Sequence, residues 1–207
     1  MTAVDAKSGK PAEGFGKKNR TLHLVSESGE WKAWKFLSSE EELASSLADA
    51  EPEYLRKELI EADKELLTVE LVRALLANAQ RLHTESSDAQ SFALYGVAGT
   101  IADQLNDKVG SVNVLRGIGN IHSSQSNNPQ AMEYYQRSLK VSEEIGYQDG
   151  IGRALGNIGV VHKSQGNYAQ ALEYYQRSLK IFEEIGNKDG IGRSLNSIGV
   201  VHQLQGN

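Results

Sequence analysis

Apolar residues recur along the second half of this chain in two alternating helical patterns. Between Gly150 and Asp189, residues Leu155, Ile158, Gly159 and His162 fall at i, i+3, i+4 and i+7, one stripe of an α-helix. Gly159 places no side chain on that stripe, so a neighbouring helix can approach closely there. The cost is about 1 kcal/mol of helix propensity relative to alanine. Gln165-Gly166-Asn167 then stops the helix, with glycine able to take the left-handed cap conformation. A second helix is predicted from Tyr168 to Ile185. Ala171, Tyr175, Ser178 and Phe182 form one row of it, flanked by Leu172, Leu179 and Ile185. Gly186-Asn187 ends this helix, and Asp189 is placed to cap the next.

The same pattern starts forty residues earlier at Gly110 and forty residues later at Gly190. A fixed period of this size marks a stacked array. Each unit is two antiparallel helices that cannot bury their stripes alone. Stacking successive pairs solves that and predicts an all-α solenoid.

The unit resembles the tetratricopeptide repeat. Leu155, Ile158, Gly159 and His162 occupy the W-x2-L-G-x2-Y places, with Leu for Trp and His for Tyr. Ala171, Tyr175 and Ser178 match the later small–aromatic–small places. The set recurs as Leu115, Ile118, Gly119, His122, Ala131, Tyr135 and Ser138, and starts again as Leu195, Ile198, Gly199 and His202. The usual late proline is missing and the unit is six residues longer than the common one. This longer variant is similar to repeats of kinesin light chains, spindle-orientation adaptors and bacterial signalling proteins. The resemblance implies a right-handed α-α superhelix whose first helices line a concave groove.

The segments before the array divide by composition. Residues 1–20 carry glycine, Pro11 and an excess of basic over acidic residues, which predicts a disordered basic tail. Residues 21–37 alternate around Ser-Gly and hold Trp31 and Trp34, which predicts a short β-hairpin covering the open end of the first helices. Residues 38–67 are a strongly acidic helical lead-in. It opens with a capping box at Ser39 to Glu42, and Pro52 begins a second helix to about Leu67. Residues 68–109 hide a degenerate repeat: eighty positions before the central unit, Leu75, Ala89, Phe92, Tyr95, Ile101 and Leu105 stand at its apolar places. The repeats then run 110–149 and 150–189, and 190–207 is the first helix of an incomplete one. Val200, Val201 and Leu204 are therefore expected to lack part of their cover. A longer parent chain or a partner surface is the expected remedy. The stretch from about Leu43 to Asp107 also resembles the helical lead-in of bacterial tetratricopeptide proteins that carry effector domains further on.

Composition narrows the chemistry. The 207 residues carry a net charge of −5 and no cysteine, which excludes disulfides and zinc–thiolate sites. A net acidic chain has no electrostatic reason to hold nucleic acid. There is no long apolar run for a membrane span and no apolar leader, so a cytoplasmic location is expected. His122, His162 and His202 recur at one place. Such points lie roughly 8–10 Å apart on packed helices, too far to share a metal, so they are read as packing residues. Gly117-Ile118-Gly119 and Gly150-Ile151-Gly152 follow no strand and do not make a dinucleotide fingerprint. No catalytic residue, metal or cofactor is predicted, and the chain is not expected to be an enzyme.

What remains is the groove. Arg153, Asn157, Val160 and Lys163 lie one step round from the apolar stripe. The neighbouring units place Asn113, Arg116, Asn120 and Ser123, and Arg193, Asn196, Ser197, Val200 and Gln203, on the same face. The resemblance implies asparagines that grip a peptide backbone and arginines at the Arg153 place that pair with acidic side chains. The chemistry suits this: amides donate and accept, and guanidinium binds carboxylate with a fork of donors. The expected function is a protein-interaction scaffold for an extended, acidic peptide segment. The alternatives are the sensory arm of a larger effector enzyme, such as a protease, kinase or cyclase, and self-association through the last helix.

Overall fold

The computed structural model describes residues 3–4, 11–12, 20–27, 30–49 and 67–206. Among them are eight helices: α1 (Ser39–Asp49), α2 (Val69–Thr84), α3 (Asp88–Gln104), α4 (Lys108–Ser124), α5 (Asn128–Glu144), α6 (Gln148–Ser164), α7 (Tyr168–Glu184) and α8 (Lys188–Leu204). From α2 onward each helix packs on the next, and α2, α4, α6 and α8 also touch one another in sequence. The first helices of successive pairs therefore line one common face. The body is an all-α solenoid.

The turns obey a shorter period than the repeat. Residues with positive φ occur every twenty positions, at Ser86, Asn106, Ser126, Gly146, Gly166, Gly186 and Gly206. At Gly166 the following amide, Asn167 N–H, donates to His162 O at 2.9 Å, and Gly166 N–H donates to Lys163 O at 3.0 Å. That pair of bonds is a Schellman cap, which satisfies carbonyls the helix end would leave orphaned. The same two bonds recur at each of these turns from Ser86 to Gly186. One cap type thus ends both helices of every unit and sets them antiparallel.

The helices are joined by aromatic side chains set into glycine positions. A Cβ built at Gly159 would lie 2.6 Å from Tyr175 Cε1, and one at Gly119 would lie 2.5 Å from Tyr135 Cε1. The tyrosine ring lies where the side chain would otherwise be, so the pair packs only with glycine. Ala171, Tyr175, Ser178 and Phe182 are buried as one row, and Ser178 Oγ donates to Gly152 O at 2.7 Å across the pair. The helix stripe Leu155–Ile158 is buried as well. His122 stacks on Tyr134 with ring centroids 5.5 Å apart, and His162 stacks on Tyr174 at 5.2 Å. His202, at the same place of α8, is exposed.

Three details differ from the sequence reading. Asn187, not Asp189, caps α8: its Oδ1 accepts from Gly190 N–H at 2.9 Å, while Asp189 sits inside the first turn and pairs with Arg193 at 2.8 Å. The cap lies two positions earlier because the helix begins at Lys188. Ile185 does not extend the buried row of α7; it is 41% exposed as the residue ending the helix. Val201 is fully buried, because it points back into the cluster of Ala171 and Tyr175. The exposed large apolar residues of α8 are Leu195, 52%, and Leu204, 55%.

Toward the N-terminus, β3 (Arg20–Glu27) and β4 (Glu30–Ser38) pair antiparallel from Arg20↔Ser38 to Glu27↔Glu30, with an irregularity between His23 and Leu24. In the segment expected to be a disordered tail, β1 (Ala3–Val4) pairs with β2 (Pro11–Ala12). The side chains of Trp31, Trp34, Ser39 and Glu42 lie outside the described residues. So do residues 50–66, and with them the helix expected from Pro52.

Candidate peptide-binding groove

A cavity of about 240 Å³ opens on the face lined by the first helices. Its walls come from three successive repeats. α4 supplies Arg116; α6 supplies Gly152, Arg153, Gly156, Asn157 and Val160; α8 supplies Arg193, Ser194, Asn196 and Ser197. Of the ten groove residues read from sequence, Arg116, Arg153, Asn157, Arg193, Asn196 and Ser197 meet here. Asn113 and Asn120 do not line the cavity but hold residues that do. Asn113 Oδ1 accepts from Arg116 Nη2 at 3.1 Å, and Asn120 Oδ1 accepts from Asn157 Nδ2 at 3.2 Å. Lys163 and Gln203 lie outside this cavity, further along α6 and α8.

The floor was missed by the sequence reading. Tyr175, Ser178 and Phe182 of α7 reach between the first helices and line the cavity from below. Helical periodicity had marked them as packing residues, which they also are. The usable signal was Gly156. It stands forty residues from both Arg116 and Asn196, where no side chain fills the space, and a Cβ there would meet only Ser178 Oγ, at 3.3 Å.

The arginines differ in their surroundings. Arg153 Nε donates to Asp149 Oδ2, one turn earlier on α6. Asp149 also accepts from Asn187 Nδ2 at 2.7 Å and from Tyr147 OH at 3.4 Å. Partial burial pushes the Asp149 carboxyl up, but Arg153, Asn187 and Tyr147 outweigh it and leave it below the usual carboxylate value. The same bond to Asp149 raises Arg153. Arg193 pairs with Asp189 at the surface. Arg116 has no ion-pair partner among the described residues, and its Nε–H is buried without an acceptor. Burial, reinforced by the nearby Arg153 charge, lowers its pKa.

The two floor-type tyrosines also differ. Tyr135 donates its hydroxyl proton to Asn120 Oδ1 at 2.9 Å. The Tyr175 hydroxyl is buried without a partner. Burial pushes both phenols up to about 12, so both stay protonated and act as donors at neutral pH.

A second depression of about 580 Å³ lies between α3, α4 and α5, over Gly99 and Ser111. Forty residues on, Leu139 and Ile151 stand at those places. Among the described residues no cluster of His, Asp and Glu could hold a metal ion, and no helix is long and apolar enough to cross a membrane.

Comparison with known proteins agrees with this geometry. Residues 150–207 match the family model of the tetratricopeptide repeat. No curated protein sequence matches the chain. Among solved structures the fold is similar to BtubC (BKLC) from P. vanneervenii, with a TM-score of 0.62 at 18% identity, covering 81% of this chain and 67% of that one. It is also similar to a signal transduction ATPase with numerous domains, bearing a tetratricopeptide repeat sensor, from Pyrococcus horikoshii. There the TM-score is 0.56 at 16% identity, over 80% of this chain and 26% of that one. The helix spacing and the tyrosine-in-glycine packing agree with that match, and residues 150–207 are tetratricopeptide repeats.

Proposed function

We propose that the chain is a non-catalytic scaffold whose groove takes an extended, acidic segment of a partner protein. Tetratricopeptide arrays are protein-interaction modules, and the concave surface is their usual working part. The observation that carries the acidic assignment is one cavity lined by Arg116, Arg153 and Arg193, contributed by three successive first helices. An extended backbone laid along it meets the amides of Asn157 and Asn196, and its side chains meet guanidinium groups. Guanidinium groups from three helices converge on one cavity, which favours an acidic ligand there.

Binding of labelled peptides tests this. A peptide of alternating Ser and Asp is expected to bind and to weaken with added salt, whereas its Asn counterpart is not. Arg153→Glu combined with Arg193→Glu should abolish capture. Equal binding of the Asp and Asn peptides, or capture unchanged by the double substitution, refutes the reading.

A sensor role uses the same groove and is supported by the tetratricopeptide repeat sensor in the Pyrococcus horikoshii protein. It requires that groove occupancy change the rate of a catalytic partner; a co-purified enzyme indifferent to the peptide argues against it. The exposed Leu195 and Leu204 favour a separate surface on α8 that pairs with a second copy. Light scattering that returns the mass of one chain at every concentration rejects that pairing.

A further inference from the structure

The groove arginines are not equivalent. Arg153 and Arg193 are each held by an aspartate one turn back, Asp149 and Asp189. Their charge is already met, so a ligand must compete for it. Among the described residues Arg116 is hydrogen-bonded only through Nη2, to the neutral oxygen of Asn113 at 3.1 Å. Its Nε–H is buried without an acceptor. Tyr175 lines the same cavity, 1% exposed, with its hydroxyl buried and unpartnered.

Both unsatisfied groups can donate, and one carries a charge. Buried polar groups in native proteins are nearly always paired, so two orphans lining one cavity call for a shared acceptor. The repeat itself marks the vacancy. Tyr135 finds its acceptor in Asn120, but forty residues on that acceptor is replaced by Val160. Gly156 keeps the space beside it open, where Asn196 stands one repeat later.

We propose that Arg116 and Tyr175 form a carboxylate subsite, which takes an aspartate or glutamate side chain of the bound segment on the Arg116 Nε–H and the Tyr175 O–H. This rests on the groove reading above and assigns its anchoring charge to Arg116, not to Arg153 or Arg193. A carboxylate offers only acceptors, two oxygens for two donors, and it relieves the repulsion between Arg116 and Arg153.

The probe is the labelled Ser-Asp peptide. Arg116→Gln is expected to weaken it on the order of tenfold, the loss of one charge-assisted hydrogen bond. Arg116→Lys, which keeps the charge but not the fork, should weaken it nearly as much. Tyr175→Phe keeps the ring that fills Gly159, so it folds, and should weaken binding about threefold. Arg153→Gln should cost less than Arg116→Gln. If Arg116→Gln binds the peptide as well as the unaltered chain does, the subsite is overturned while the groove reading stands. If the peptide does not bind at all, the groove reading falls and a separate measurement decides the subsite. That measurement titrates N-acetylaspartate against the arginine Nε–H NMR resonance that disappears in Arg116→Gln. A saturable shift sustains the subsite, and no shift overturns it. A stronger response to inorganic phosphate than to N-acetylaspartate overturns the carboxylate assignment.

Discussion

Tyr135 donates its hydroxyl proton to Asn120 at 2.9 Å, whereas Tyr175, the same residue one repeat later, has Val160 at the matching place and no acceptor. Two rings packed identically against glycine thus differ by one hydrogen bond. Tyr135→Phe should lower stability by about 1 kcal/mol, because it removes the bond. Tyr175→Phe should leave stability unchanged or slightly raised, since a buried hydroxyl without a partner contributes only its desolvation cost. Urea unfolding of the two variants checks this; equal losses would contradict the pairing.

The glycine pockets provide a second internal comparison. A methyl group at Gly159 collides with the Tyr175 ring, while Gly199, at the same place of α8, has nothing within 4 Å. Gly159→Ala should destabilise by about 1–3 kcal/mol through overpacking. Gly199→Ala should stabilise by about 1 kcal/mol through helix propensity. Thermal melts of opposite sign are the expected result.

Ser126 holds a φ of 58° at a turn where Gly146, Gly166 and Gly186 do the same work in the turns that follow. A left-handed backbone costs an ordinary residue roughly 1 kcal/mol, part of which glycine returns through unfolded-state entropy. Ser126→Gly should therefore raise stability by about 0.5 kcal/mol, and Gly166→Ser should lower it by about 1 kcal/mol. Denaturant midpoints measure both, and a loss on Ser126→Gly would show that the serine side chain contributes more than the backbone strain costs.

Asp149 ties α6 to Asn187 just before α8 and to Arg153 within α6. Its carboxyl sits below its ordinary value of 3.8 in the folded chain. A group depressed by folding contributes stability that is complete above the unfolded value and is lost as pH falls through the folded one. The advantage over Asp149→Asn, about 0.5 kcal/mol after discounting for partial exposure, should be constant above about pH 5 and shrink below 3.8. Unfolding measured for both proteins across that range tests it. A difference that does not change with pH would remove the charge from the explanation.

Periodicity alone determined where the helices lie, that they alternate antiparallel, and which residues form the buried rows. Matching residues forty apart, such as Ala131 and Ala171 or Tyr135 and Tyr175, occupy matching buried places. It also placed six groove residues round one cavity, because a helical face is a matter of angle and angle follows from spacing. The rest depended on contacts between helices. Spacing within α4 and α6 carries no trace of Tyr175 reaching up from α7 to line the cavity floor. Nor does it distinguish Arg153, neutralised by Asp149, from Arg116, which has no ion-pair partner among the described residues. Whether a donor is satisfied depends on what the neighbouring helix brings within hydrogen-bond reach, about 3 Å, and only the packed array decides that.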